Sequence, residues 1–324
     1  MKKWFVCVVV GLLVFLNSST SEAQGRSYVV MDMQNGRTLM GSNEHIPLPI
    51  ASLTKIWTAY VVLENSELSD EVTISKRASL VEGSSIYVEE GQVYTVEHLL
   101  YGLMMRSGND AAVALAEHVG GSVEGFVQLM NEQAQYNGLK QTHFDNPTGL
   151  HEPTHLASAY DTAKMLQIAM QNEAFRKIAS TKLYKEGAHW SNKHRLLHQD
   201  IGATIGKTGY TKVAGRTLAT FFEREQKQFI IVTINEGNDW NVHRNLADEI
   251  EREYDIVTIA DKGPYKQNDV TIYLQEPMRV LIKKGELEQF RHVVYLSRVD
   301  KSKRAVWHVY LKDELLMTKL VRRN

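Results

Sequence analysis

Apolar residues along this chain fall into three regimes. Residues Trp4–Leu16 are almost continuously apolar. From Ser27 to Tyr254, runs that alternate with a period of two enclose a block with helical spacing. Beyond Gly263 only short alternating runs remain. Ser27–Met33 alternates into the tight-turn pair Asn35-Gly36, and Arg37–Met40 returns, which predicts a hairpin. Pro47 and Pro49 hold the next stretch extended. A helix then starts near Ser52, with Trp57, Tyr60, Val61 and Leu63 as its apolar positions. Glu97–Met105 and Asp110–Val119 predict helices on either side of Ser107-Gly108-Asn109, and Gly120-Gly121 stops the second. Val123–Tyr136 and Ala159–Gln171 are further helices. Phe144–His155, with its Asn, Pro and Gly, reads as a loop. Thr217–Phe222 and Gln228–Asn235 read as strands, and Val242–Tyr254 as a closing helix.

A sheet built from both ends of this region, with a helical block between them, is an α/β arrangement that brings distant motifs to one cleft. Gly263-Pro264 marks a linker. Val270–Leu274, Arg279–Ile282, His292–Leu296 and Ala305–Leu311 then predict a small all-β unit. The expected division is a signal segment at 1–23, a main domain at 24–262 and a β-rich domain at 263–324.

Charge changes this picture little. The 324 residues carry a net charge of −1 and no basic tract long enough to follow a nucleic acid. The N-terminus changes it more. Lys2 and Lys3 precede the apolar run, and Ser21-Glu22-Ala23 puts small residues at a cleavage site, so the chain is expected to be exported and cut after Ala23. An uncleaved anchor is the alternative, but the run is shorter than the roughly 20 residues a spanning helix needs. Cleavage also removes Cys7, the single cysteine, and with it any disulfide or thiol chemistry.

Candidate chemistry rests on three short motifs: Ser52-Leu53-Thr54-Lys55, Ser107-Gly108-Asn109 and Lys207-Thr208-Gly209. Their starts are separated by 55 and 100 residues. Ser52 and Lys55 share one face of a helix start. A serine hydroxyl becomes a nucleophile when a neighbour takes its proton. Lysine can do so only when neutral, which burial or a second cation promotes, and Lys207 is a candidate for that cation. Backbone N–H groups at a helix start suit a developing oxyanion. Ser107 can pass a proton to a leaving amine, and Asn109 can pair with a substrate amide. Thr208 can bond a carboxylate. Gly209 leaves a strand edge open for an extended substrate.

A competing pattern, His151-Glu152-Pro153-Thr154-His155, matches a zinc-protease motif that works only on a helix. Pro153 inside it would cost a helix about 3 kcal/mol. No metal or cofactor is therefore expected.

Taken together, the three motifs resemble those of low-molecular-mass penicillin-binding proteins of the serine D-alanyl-D-alanine carboxypeptidase type. The resemblance covers about residues 26–260. It extends to Arg106-Ser107-Gly108-Asn109-Asp110-Ala111-Ala112, Gly206-Lys207-Thr208-Gly209-Tyr210-Thr211 and Asn146-Pro147-Thr148-Gly149-Leu150. It implies a β-lactamase/transpeptidase-like catalytic fold, a mixed sheet with a helical block, and a small C-terminal β domain. It further implies acylation of Ser52 and an oxyanion hole from the N–H groups of Ser52 and Tyr210. Arg244 would hold the terminal carboxylate. The implied substrates are peptidoglycan stem peptides, with β-lactams as inhibitors, outside the cytoplasm. Two C-terminal arginines leave peripheral membrane or wall association open. A D,D-endopeptidase, a β-lactamase and a non-catalytic peptidoglycan-binding protein are the alternatives. Glu152 lacks the partner spacing that a β-lactamase base requires, since residue 156 is Leu.

Overall fold

The structure is a computed structural model that describes residues 25–267, 270–286, 290–296 and 303–323. The expected signal segment lies outside the described residues. Strands β1 (Ser27–Asp32), β2 (Thr38–Ser42), β3 (Ala203–Thr211), β4 (Gly215–Arg224) and β5 (Lys227–Ile234) form one sheet in the order β2-β1-β5-β4-β3. All four pairings are antiparallel, so the sheet is not mixed in strand direction. The reason is local: β1–β2, β3–β4 and β4–β5 are hairpins, and β1 meets β5 where the two ends of the region converge. In the first hairpin, Asp32 bonds the Gln34 amide and the Asn35 side chain, and Gly36 takes a φ of 74°.

Alternation along the strands serves both faces of this sheet. Val29, Met31, Ile230, Val232 and Ile234 pack against the helical block, while Val30, Leu218, Phe222, Phe229 and Ile231 pack on the opposite side. The helical block comprises α1 (Thr54–Asn65), α2 (Val96–Tyr101), α3 (Asn109–Gly120), α4 (Val123–Tyr136), α5 (Ala159–Ala169) and α6 (Glu173–Ser180). Helix α7 (Asp239–Glu253) covers the other face through Leu246, Ala247 and Ile250. The central sheet is thus sandwiched between helices, and β3 is its outer edge.

Beyond α7, β6 (Tyr254–Ala260) pairs with β9 (Met278–Lys283). Five more strands make a second antiparallel sheet: β7 (Gly263–Gln267), β8 (Val270–Leu274), β10 (Phe290–Leu296), β11 (Arg304–Leu311) and β12 (Glu314–Arg323). Gly263-Pro264 therefore begins a strand rather than an open linker. Pro264 is accommodated because β7 is an edge strand, where a missing N–H costs no ladder bond. This part has its own apolar cluster around Val280, Ile282, Trp307 and Val309.

Candidate active site

Ser52 sits in a single 3₁₀ turn, Ala51–Leu53, that feeds directly into α1. The turn is tightly held. Ala51 adopts a φ of 49°, unusual for a residue with a Cβ. Gly149, at a φ of 81°, lies against the Ala51 carbonyl, where a side chain would collide with it. The Thr54 hydroxyl donates to the same carbonyl at 2.8 Å. His155 braces it from behind. Its Nδ1 accepts from the Asp145 N–H at 3.0 Å, so Nε2 carries the proton and donates to Thr54 Oγ1 at 2.8 Å. Burial holds this imidazole neutral, lowering its pKa to about 4. His155 thus has both ring nitrogens engaged, and His151–His155 is a loop, not a zinc-binding helix.

Lys55, one turn after Ser52, is fully buried. Its Nζ lies 3.1 Å from Ser52 Oγ, 2.7 Å from Asn109 Oδ1 and 2.5 Å from the Thr148 carbonyl. The last two oxygens can only accept. A neutral Lys55 spends its two N–H bonds on them, leaving its lone pair for the Ser52 hydroxyl proton. Burial, reinforced by the charge of Lys193, lowers the Lys55 pKa to about 7, while Asp110 acts in the opposite direction.

Ser107 occupies the left-handed region, with a φ of 65°, between a π-helical turn at Gly102–Arg106 and α3. That conformation costs energy for a non-glycine residue. Here it aims the hydroxyl at Lys207, whose Nζ donates to it at 2.9 Å and to the Thr208 carbonyl at 2.8 Å. Burial, then the charges of Lys55 and Lys193, hold Lys207 well below the usual lysine range. Asn109 is engaged on both sides: Oδ1 accepts from Lys55 and Nδ2 donates to the Glu82 carbonyl at 2.6 Å. It is placed to position Lys55 more than to read a substrate amide. Next to it, Asp110 collects Ser85 Oγ and the amides of Ile86 and Tyr87, fixing the loop that carries Ser84.

Lys207, Thr208, Gly209 and Tyr210 lie on the free-edge strand β3. Gly209 is required by proximity: a Cβ there would lie 2.9 Å from the Ser52 amide nitrogen. The cleft in front of this edge is a cavity of about 350 Å³ lined by Ser52, Ser107, Thr208, Gly209 and Tyr210. Arg244 does not line it. Its guanidinium bonds Gln199 Oε1 at 3.2 Å and Asn241 Oδ1.

Arg216 lines the cleft instead, and the sequence reading missed it. It pairs with Tyr210 across β3–β4, and Thr208 pairs with Leu218, so Arg216 and Thr208 share a face of the sheet. Asp239, at the start of α7, holds Arg216 through contacts of 2.7 and 3.1 Å, and Trp240 packs 5.5 Å from the guanidinium carbon. Nothing in the local sequence joins Arg216 to Asp239. Only the fold does. Lys193 and Arg195 also line the cavity. Among the described residues no cluster of three or more His, Cys, Asp or Glu could hold a metal ion.

Comparison with known proteins identifies the family. The D-alanyl-D-alanine carboxypeptidase family of serine peptidases (peptidase S11) matches residues 15–238. The chain belongs to this family, the low-molecular-mass penicillin-binding proteins. It is 32% identical over 321 residues to D-alanyl-D-alanine carboxypeptidase DacF of Bacillus subtilis, covering 88% of this chain and 82% of that one. It is 34% identical over 227 residues to DacD of Escherichia coli, covering 66% of this chain but 58% of the relative. Among solved structures, penicillin binding protein 5 from Haemophilus influenzae superposes with a TM-score of 0.76 at 25% identity, over 92% of this chain and 95% of that one. Penicillin binding protein 6B from Escherichia coli gives 0.72 at 27% identity, over 90% and 93%.

Proposed function

We propose that this protein is a serine D-alanyl-D-alanine carboxypeptidase that removes the terminal D-alanine of peptidoglycan stem peptides, with Ser52 as nucleophile. The observation that carries the reading is the 3.1 Å contact between Ser52 Oγ and a buried Lys55 whose other hydrogen-bond partners can only accept. Neutral Lys55 takes the serine proton as Oγ bonds the penultimate carbonyl carbon. The Ser52 and Tyr210 N–H groups receive the oxyanion. The C–N bond then breaks; Ser107, held by Lys207, gives its proton to the departing amine and is reprotonated with the proton Lys55 had taken, which leaves Lys55 neutral again. Water next attacks the ester with Lys55 again as base, returning Ser52. Thr208 and Arg216 bind the terminal carboxylate, a role that fits Arg216 better than Arg244 because only Arg216 lines the cleft.

The β-lactamase alternative is weakened by the cleft's composition. Its lining includes no glutamate, its single acid, Asp239, is engaged by Arg216, and Glu152 is exposed elsewhere. We place the division nearer residue 254 than the expected 262/263, because β6 pairs with β9 and contributes Ala260 to the apolar cluster of the second part. Export and cleavage after Ala23 are supported by the N-terminal pattern alone. No helix among the described residues is long and apolar enough to cross a membrane.

The test is direct. The protein should release D-alanine from a stem pentapeptide, and labelled penicillin should form a stable adduct on the peptide containing Ser52. Both should vanish in Ser52→Ala. Labelling that survives this substitution would remove Ser52 from the nucleophile role.

A further inference from the structure

The cleft carries more positive charge than bond breaking uses. Lys55 and Lys207 act at the reacting centre, and one terminal carboxylate is met by Thr208 and Arg216. The same cavity adds Lys193 and Arg195. Neither has a carboxylate partner among the described residues. Lys193 Nζ donates to the Ser84 hydroxyl at 3.3 Å. The Arg195 side chain makes no hydrogen bond or ion pair among the described residues. The single acid in the lining, Asp239, is committed to Arg216.

These two side chains are also firmly placed at their base. The Lys193 amide donates to the Met105 carbonyl at 3.1 Å, beside the π-helical turn that delivers Ser107. Between them, the buried His194 ring donates toward the Ala219 carbonyl and Thr220 Oγ1, fixing this segment on β4. His194 also packs edge-on against Trp240, the platform for Arg216. Lys193, Arg195 and Arg216 therefore belong to one continuous wall. Ser107 lines the same cavity, and so do Thr208 and Arg216, the groups assigned above to the carboxylate of the departing residue.

We propose that the leaving-group side of this cleft selects a D-residue bearing a second carboxylate in addition to the one on its α-carbon, with Arg195 and Lys193 as the groups that read it. This rests on the peptidase reading above and adds to it the chemical class of the leaving group. The reaction is unchanged: the acyl carbon is transferred to Ser52 Oγ, and the amine leaves with the serine proton.

The experiment compares kcat/KM for four peptides with a common acyl donor ending in D-Ala-D-Ala, D-Ala-D-Glu, D-Ala-D-Gln or D-Ala-D-Lys. D-Glu and D-Gln differ in charge but hardly in shape. The wild-type full chain should favour D-Glu over D-Gln by roughly fivefold, the discrimination one exposed ion pair supports. The preference should shrink at high salt. Arg195→Gln should bring the ratio near unity, and Arg195→Lys should restore part of it. Both peptides are measured on the same variant, so a general loss of folding cancels in the ratio. A wild-type ratio at or below one, or a ratio unchanged in Arg195→Gln, overturns the proposal. D-Ala released without any preference for D-Glu overturns the selection alone. Release from none of the four peptides overturns the carboxypeptidase reading as well.

Discussion

The depressed pKa of Lys55 makes the pH dependence of acylation the sharpest test of the mechanism. At an ordinary lysine pKa of 10.5, only about one Lys55 in three thousand would be neutral at pH 7. At about 7, roughly half are. Burial between α1, α3 and the Asn146–Leu150 turn thus raises the fraction of competent base by about 10³-fold, a large share of what general-base catalysis supplies. The second-order rate of acylation by a fluorescent penicillin should therefore rise from pH 5, bend near 7 and level off above it. Lys55→Arg keeps a cation in place but supplies no neutral amine, so acylation should fall by about 10²-fold or more at every pH. Lys193→Gln removes a charge that disfavours protonated Lys55, so the bend should move to higher pH. A wild-type profile that begins to rise only above pH 9, or a Lys55→Arg enzyme with a tenth of the wild-type rate, would refute the reasoning. The base would then lie elsewhere.

Other consequences follow from the same geometry. Gly209→Ala should push β3 away from the Ser52 turn; displacement on the 1 Å scale costs about 10²-fold in rate, so acylation should collapse while the melting temperature falls only modestly. Unchanged acylation would mean the strand yields elsewhere. Arg216→Gln should slow hydrolysis of a peptide with a free carboxylate at least about tenfold more than acylation by an ester lacking one. Equal losses would assign Arg216 to structure through Asp239. Burial keeps His155, His194 and His243 neutral in the fold, lowering their pKa values to about 4, about 3 and well below the usual range. The unfolded chain protonates its histidines near 6.5, so their contribution to stability is complete above that pH. It is lost as pH falls, by about 1.4 kcal/mol per unit for each imidazole. Urea midpoints measured from pH 7.5 to 4.5 should decline steeply below 6.5, and a flat series would contradict the neutral assignments.

Period and punctuation made much of the fold legible before any coordinates. The first hairpin is written in its alternation and in Asn35-Gly36. The helices around Ser107 are written in their apolar spacing and in Gly121, which ends α3 with a φ of 70°. What escaped is equally physical. Helix α6 places Phe175, Ile178 and Ala179 at i, i+3 and i+4, but its eight residues carry that helical pattern for little more than two turns. Strand β6 was hidden because its partner is β9, across an intervening strand pair, and cross-strand partners leave no local mark. Gly263-Pro264 read as a break because both residues interrupt strands in general, yet at a sheet edge neither does.

The site divides along the same line. Ser52, Lys55, Ser107, Asn109 and Lys207, which the fold brings together, were visible because each proposed role needs a particular residue type at a short, recognisable spacing. Arg216, Asp239, Trp240 and His155 were not, because each acts through a contact made by folding. Arg216 lies beside Thr208 only because β4 pairs with β3 in one register, and it is held only because α7 begins with Asp239 at that place. His155 reaches the Ser52 turn through Thr54, across a separation of 101 residues. Arg244 shows the converse. Its position in the sequence suggests a carboxylate ligand, but its guanidinium is taken up by Gln199 and Asn241. On the reading proposed above, the arginine on β4 that lines the cleft supplies the charge instead. The proposed nucleophile and base are thus set by local spacing, whereas the proposed recognition of charge on the substrate is set by register and packing. Substrate preference in this chain should accordingly change through residues such as Arg195 and Arg216 while the acyl-transfer motifs stay as they are.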